Sequence, residues 1–75
     1  MEIRRILAAN IVRLRRAKGF SQEALAWDAR VARSYMVKIE TAQTSTGIDV
    51  IGRLAAVLDV EPAELFRLPP KRGRR

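Results

Sequence analysis

Seventy-five residues with 48% apolar and 31% charged side chains make one small globular domain, not a disordered chain. The absence of Cys and His excludes disulfide frameworks, Cys/His zinc sites, haem ligation and nucleophilic sites of the Ser/His or Cys/His kind. A net charge of +7, from 15 Lys and Arg against 8 Asp and Glu, favours an acidic partner, either nucleic acid or an anionic membrane surface.

In chain order, Ile3, Leu7, Ile11 and Leu14 recur at spacings of a helical stripe and predict a first helix from about Glu2 to Lys18. Arg4, Arg5, Arg13 and Arg16 fall outside that stripe. Gly19 supplies the stop, because a residue without Cβ takes the left-handed conformation that closes a last turn. Ser21 is placed to cap a second helix over 22–29. After Arg30-Val31-Ala32, Met36 and Ile39 give a third short helix its buried side, over 33–41. The polar run Ala42-Gln-Thr-Ser-Thr46 has no apolar period and reads as a connection. Thr46 or Gly47 can cap a fourth helix that buries Ile48, Ile51, Leu54, Ala55 and Leu58. Pro62 suits the first turn of a fifth helix carrying Leu65 and Phe66, and Pro69-Pro70 ends it.

No stretch alternates with period two over a strand's length. The expected fold is therefore all-α, a compact five-helix domain over residues 1–68 followed by a short, disordered basic tail at 69–75, where Lys71, Arg72, Arg74 and Arg75 hold four of the cations. The longest uncharged stretch, Thr41 to Ile48, is polar, so nothing spans a bilayer. Ile6 to Ala9 is too short for the apolar region of a signal peptide. The expected location is the cytoplasm. No pair of side chains is placed for catalysis, and no metal, cofactor or small-molecule effector is expected.

Two short helices joined by about three residues have helix-turn-helix geometry, and the third helix sharpens that reading. At about 100° per residue, Arg33, Ser34, Val37, Lys38 and Thr41 share one sector, while Met36 and Ile39 point the opposite way. The exposed set suits a DNA major groove. Arg33 can donate two hydrogen bonds to guanine, Lys38 can reach a base edge or a phosphate, Ser34 can do either, and Val37 can meet a thymine methyl. The bland alternative is that Arg33 and Lys38 are ordinary solvated charges.

Ordered markers run along the chain: Leu14-Arg15-Arg16 before Gly19, Ser21-Gln22-Glu23-Ala24-Leu25-Ala26, Ile39-Glu40, and Leu54-Ala55-Ala56-Val57-Leu58 with Leu65-Phe66 after it. With these, the run from Leu7 to Phe66 resembles the Cro and phage-repressor (XRE-like) helix-turn-helix family. The segment from Val31 to Glu40 is especially similar to the small controller proteins of restriction-modification systems. The resemblance implies that Gln22 binds a phosphate at the start of the second helix, that Arg33, Ser34 and Lys38 face bases, and that Tyr35 reaches the backbone. It also implies that Thr41, Gln43 and Thr44 hold further phosphates, and that Arg15 and Glu40 tie the first helix to the third. Three positions depart from the family's pattern. Arg30 stands where the turn usually has Gly, Ala32 replaces the usual capping side chain, and Thr41 to Thr46 lacks the usual basic loop with Gly and Pro.

Val50 and Val57 lie off the stripe of the fourth helix and, with Phe66 and Leu68, suggest an apolar interface. The resemblance implies a dimer through this end, and a core this small gains from a partner subunit. Trp27 projects away from Leu25 and Ala29, which makes it either partly exposed packing or a partner contact, and packing is expected. The expected function is a DNA-binding transcriptional regulator, a homodimer on double-stranded DNA with a palindromic operator. The rivals are an antitoxin-like protein-interaction module and membrane-surface binding through the first helix, whose apolar stripe the core needs.

Overall fold

The computed structural model describes residues 3–68. The expected basic tail, 69–75, lies outside the described residues, as does the expected start of the first helix at Glu2. Four α-helices, α1 (Ile3–Ala17), α2 (Gln22–Ala29), α3 (Arg33–Glu40) and α4 (Ile48–Leu58), precede a 3-10 turn at Pro62–Phe66. No strand occurs among the described residues.

Each boundary has a local cause. Gly19, at φ 80°, closes α1, with the Phe20 N–H bonded to the Arg15 carbonyl at 2.9 Å. The Ser21 hydroxyl accepts from the Ala24 N–H at 3.0 Å and starts α2, satisfying a donor that the helix itself leaves open. Arg30 ends α2 in the left-handed region, at φ 60° and ψ 45°. That conformation costs a non-glycine residue about 1 to 2 kcal/mol, and two interactions offset it. The Val31 N–H reaches back to the Ala26 carbonyl at 2.8 Å, and the Arg53 Nε donates to the Ala29 carbonyl at 2.8 Å, placing a cation at the negative end of α2. Ala32 offers α3 no side-chain cap.

The fifth element is not an α-helix. With Pro62 at its start and only five residues, it closes on i→i+3 bonds such as Glu64 N–H to the Glu61 carbonyl at 2.9 Å, the pattern of short 3-10 pieces.

One core collects Leu7, Ile11 and Leu14 from α1, Leu25 and Ala29 from α2, Met36 and Ile39 from α3, Leu54 and Leu58 from α4, and Leu65 from the turn. Three apolar expectations fail at its margins. Ile3 is 51% exposed, because it begins α1 one turn beyond the core. Ile48 is 84% exposed, because it opens α4 ahead of the turns that carry the buried Leu54, Ala55 and Leu58. Trp27 is also 84% exposed, because α2 turns Leu25, Ala26 and Ala29 inward and leaves the indole on the outer side.

A buried polar side chain unforeseen from the sequence joins the ends of the fold. Asn10 donates from Nδ2 to the Leu65 and Arg67 carbonyls at 3.0 and 2.8 Å, and its Oδ1 accepts from Arg13 at 3.0 Å. Its only sequence signal is an amide sitting beside the Leu7, Ile11 and Leu14 stripe.

Candidate nucleic-acid interface

The turn between α2 and α3 sets the two helices so that α3 buries Met36 and Ile39 and leaves Arg33, Ser34, Val37 and Lys38 exposed. The sector read from the sequence is therefore solvent-facing over the length of α3. Arg33 has a partner on the neighbouring helix. Its Nη1 lies 3.3 Å from the Glu23 carboxylate of α2, both side chains well exposed at 60% and 75%. Exposed pairs of this kind contribute at most about 1 kcal/mol, so the guanidinium exchanges readily onto another acceptor.

Behind the reading face stands a polar node. Arg15 donates to the Glu40 carboxylate through Nε at 2.8 Å and Nη2 at 3.2 Å, and through Nη1 to the Phe20 carbonyl at 3.0 Å. The two side chains are 13% and 5% exposed. Gln22 completes the node, donating from Nε2 to Glu40 at 3.0 Å. An amide nitrogen carries two protons, so Gln22 is held at the start of α2 with one N–H still available outward.

The loop after α3 is tied mainly to itself. The Thr41 hydroxyl donates to the Val37 carbonyl at 2.7 Å and accepts from Gln43 Nε2 at 2.8 Å, so Thr41 serves as the end of α3 and not as part of its helical face. The Thr44 hydroxyl donates to the Ser45 carbonyl at 3.2 Å, and Tyr35 donates to that carbonyl at 3.1 Å. Ala42 takes φ 61° where the loop turns away. Arg4, at the far end of α1, reaches Ser45 Oγ at 3.2 Å, a contact across 41 residues that sequence spacing cannot reveal.

Gln22, Arg33, Ser34, Tyr35, Val37 and Lys38 thus lie along α2 and α3, with Thr41, Gln43 and Thr44 at or beyond the far end of α3, where the Tyr35 hydroxyl also reaches. The apolar group is set apart from them. Val50, Val57 and Phe66 pack partly against the chain's own core, while Leu68 is 58% exposed. Among the described residues no group of three His, Cys, Asp or Glu side chains is arranged to hold a metal, and no helix is long and apolar enough to cross a membrane.

Residues 6–68 match the model of a family described as a helix-turn-helix domain. The HTH-type transcriptional regulator SlrR of Bacillus subtilis is 37% identical over 62 residues, which are 80% of this chain and 41% of SlrR, so the chain spans less than half of that relative. The crystal structure of the restriction-modification controller protein C.AhdI from Aeromonas hydrophila superposes with a TM-score of 0.81 at 40% identity, covering 84% of this chain and 96% of that one. The hypothetical transcription factor NHTF from Neisseria gives a TM-score of 0.86 at 35% identity, over 92% and 76% of the two chains. The helix-turn-helix arrangement of α2 and α3, the Arg15–Glu40 tie and these similarities agree, and the chain belongs to the XRE-like helix-turn-helix family.

Proposed function

We propose that the protein is a sequence-specific DNA-binding transcriptional regulator acting as a homodimer on a palindromic operator. The observation that carries this reading is the exposed sector of α3, where Arg33, Ser34, Val37 and Lys38 stand clear of the chain's own packing in the combination of donors and methyl groups that major-groove edges accept. Arg33 and Lys38 read bases, and Ser34 and Val37 fill the space between. Gln22 and Gln43 are assigned to phosphates through their remaining N–H groups, Tyr35, Thr41 and Thr44 to weaker phosphate contacts that each require an internal hydrogen bond to open, and Leu68 with the open parts of Val50, Val57 and Phe66 to the dimer contact. Two recognition helices then enter successive major grooves about 34 to 36 Å apart. Regulation follows from blocking or recruiting polymerase, with no catalytic step. The relatives described above, a transcriptional regulator and a controller protein, support the same reading.

Selection of binders from a random duplex pool tests it. A two-fold symmetric consensus is the expected outcome, and a pool without enrichment refutes the reading. One observation favours a second reading, an antitoxin-like protein-interaction module: Trp27, large and apolar, is 84% exposed. That reading requires a co-purifying protein whose binding shields the indole from a soluble fluorescence quencher.

A further inference from the structure

The charge of the described chain is concentrated on one helix. α1 carries Arg4, Arg5, Arg13, Arg15 and Arg16 and no carboxylate, whereas residues 18–68, which include α2 and α3, hold six cationic side chains against seven carboxylates. The part of the molecule that reads bases is therefore close to neutral. Arg15 is committed to Glu40 and Arg4 to Ser45. Arg5, Arg13 and Arg16 share one face of α1, spanning about 80° around the helix at its side opposite Leu7 and Ile11. All three are exposed, and no ion pair involves them among the described residues.

The direction of this face matters as much as its charge. Arg5, Arg13 and Arg16 line an open groove whose other wall is Glu40, Thr41 and Ala42. Thr41 is the residue on which the recognition helix ends, so the arginine face borders the reading helix at that end.

We propose that Arg5, Arg13 and Arg16 form a second, sequence-independent contact surface for the phosphate backbone of the same DNA duplex. This surface takes up the strand that leaves the major groove past Thr41 and supplies long-range attraction that the near-neutral α2 and α3 lack. It rests on the DNA-binding reading given above. Arginine suits the role because its charge is permanent and its planar fork meets phosphate oxygens in pairs. It also divides the labour between helices, α3 choosing the sequence and α1 setting the affinity.

The test uses the full chain and a mixed-sequence duplex three helical turns long, with binding measured between about 50 and 200 mM salt, where each neutralised phosphate contributes about −0.9 to the slope of log K against log salt. Arg5→Gln with Arg16→Gln touches no hydrogen bond found in the structure. In the homodimer the double variant removes four arginines and is expected to flatten the slope by nearly four such contributions, so that about a hundredfold less affinity is lost across that range. Discrimination between the selected consensus and mixed sequence should stay unchanged. Lys18→Gln, an exposed charge beyond the end of α1, is the matched control for Arg16→Gln and should leave the slope nearly untouched. A slope unaltered in the double variant, in a protein whose wild type binds duplex DNA, overturns this proposal alone. Equal flattening by Lys18→Gln also overturns it, since net charge and not the arginine face would then set the affinity. A wild type that binds no duplex at all overturns the DNA-binding reading and this surface with it.

Discussion

Replacing Glu40 by Ala isolates the node behind the reading face. The carboxylate accepts three hydrogen bonds, two from Arg15 and one from Gln22, and its side chain is only 5% exposed. Its removal strands a guanidinium that is 13% exposed and retains a single bond, to the Phe20 carbonyl. Breaking a buried pair on one side costs about 3 to 5 kcal/mol, and the residual solvent access of Arg15 puts this case at the lower end, about 3 kcal/mol. In a domain of this size each kcal/mol moves the melting temperature by about 4 to 8 °C, so a fall of at least about 10 °C is expected by thermal circular dichroism. Removing both partners tests the mechanism further. Arg15→Met with Glu40→Leu leaves no unpaired charge and should recover most of the loss, because apolar replacement of a buried pair is often neutral or stabilising. A Glu40→Ala protein melting within about 2 °C of wild type, or a double variant no more stable than the single, would refute the argument that the cost lies in the stranded charge.

Arg33→Ala should relax base preference at one position in each half-site by about 1 to 3 kcal/mol while leaving affinity for mixed-sequence DNA within a small factor, as read from competition binding. Phe66→Ala should weaken self-association, seen by sedimentation as a shift toward monomer over a concentration series; a single unchanged species for both proteins removes the proposed interface. Arg30→Gly should raise stability by about 0.5 to 1 kcal/mol, since Gly takes φ 60° without the Cβ penalty but loses more backbone entropy on folding. A lower melting temperature for that variant would show that the Arg30 side chain contributes more than its backbone strain costs. Tyr35→Phe and Gln22→Ala should separate in a DNA titration. The Tyr35 proton is already given to the Ser45 carbonyl, so its loss should barely change affinity, whereas Gln22 keeps a second N–H to offer and its loss should weaken binding on every sequence.

The fold was legible where a single rule governed a segment. Apolar spacing placed the C-terminal end of α1 and both ends of α3 to within about one residue, Gly19 and Ser21 marked the junction of α1 with α2, and the α2 limits at Gln22 and Ala29 follow from the cap and from Arg30. Legibility failed where a segment's end ran past the core. Ile3 and Ile48 continue the apolar periodicity of their helices but have nothing to pack against, and periodicity carries no information about where neighbouring helices stop. Pro62 signalled a helical start without distinguishing an α-turn from a 3-10 turn, because both need the same first dihedral angle and differ only in whether a fourth-residue carbonyl is in reach. In the candidate site the α3 sector was readable from angles alone. Glu23 beside Arg33 and Arg4 at Ser45 were not, because each joins separate elements and depends on how they are packed.

The same packing divides the polar side chains near α3 by what they still have to give. A hydroxyl has one proton, and those of Thr41, Thr44 and Tyr35 are donated to carbonyls of the chain itself; turning any of them to a phosphate forfeits an internal bond of about 0.5 to 1.5 kcal/mol. Amides escape that exchange. Gln22 and Gln43 each spend one N–H on holding the fold, on Glu40 and Thr41 respectively, and keep the other. A side chain fixed by one bond and open at another has already lost its rotamer entropy in folding, so contact with a backbone phosphate does not incur that cost again. Of the phosphate contacts proposed, those of Gln22 and Gln43 are therefore expected to contribute more affinity than those of Tyr35, Thr41 and Thr44, each of which must first give up an internal bond.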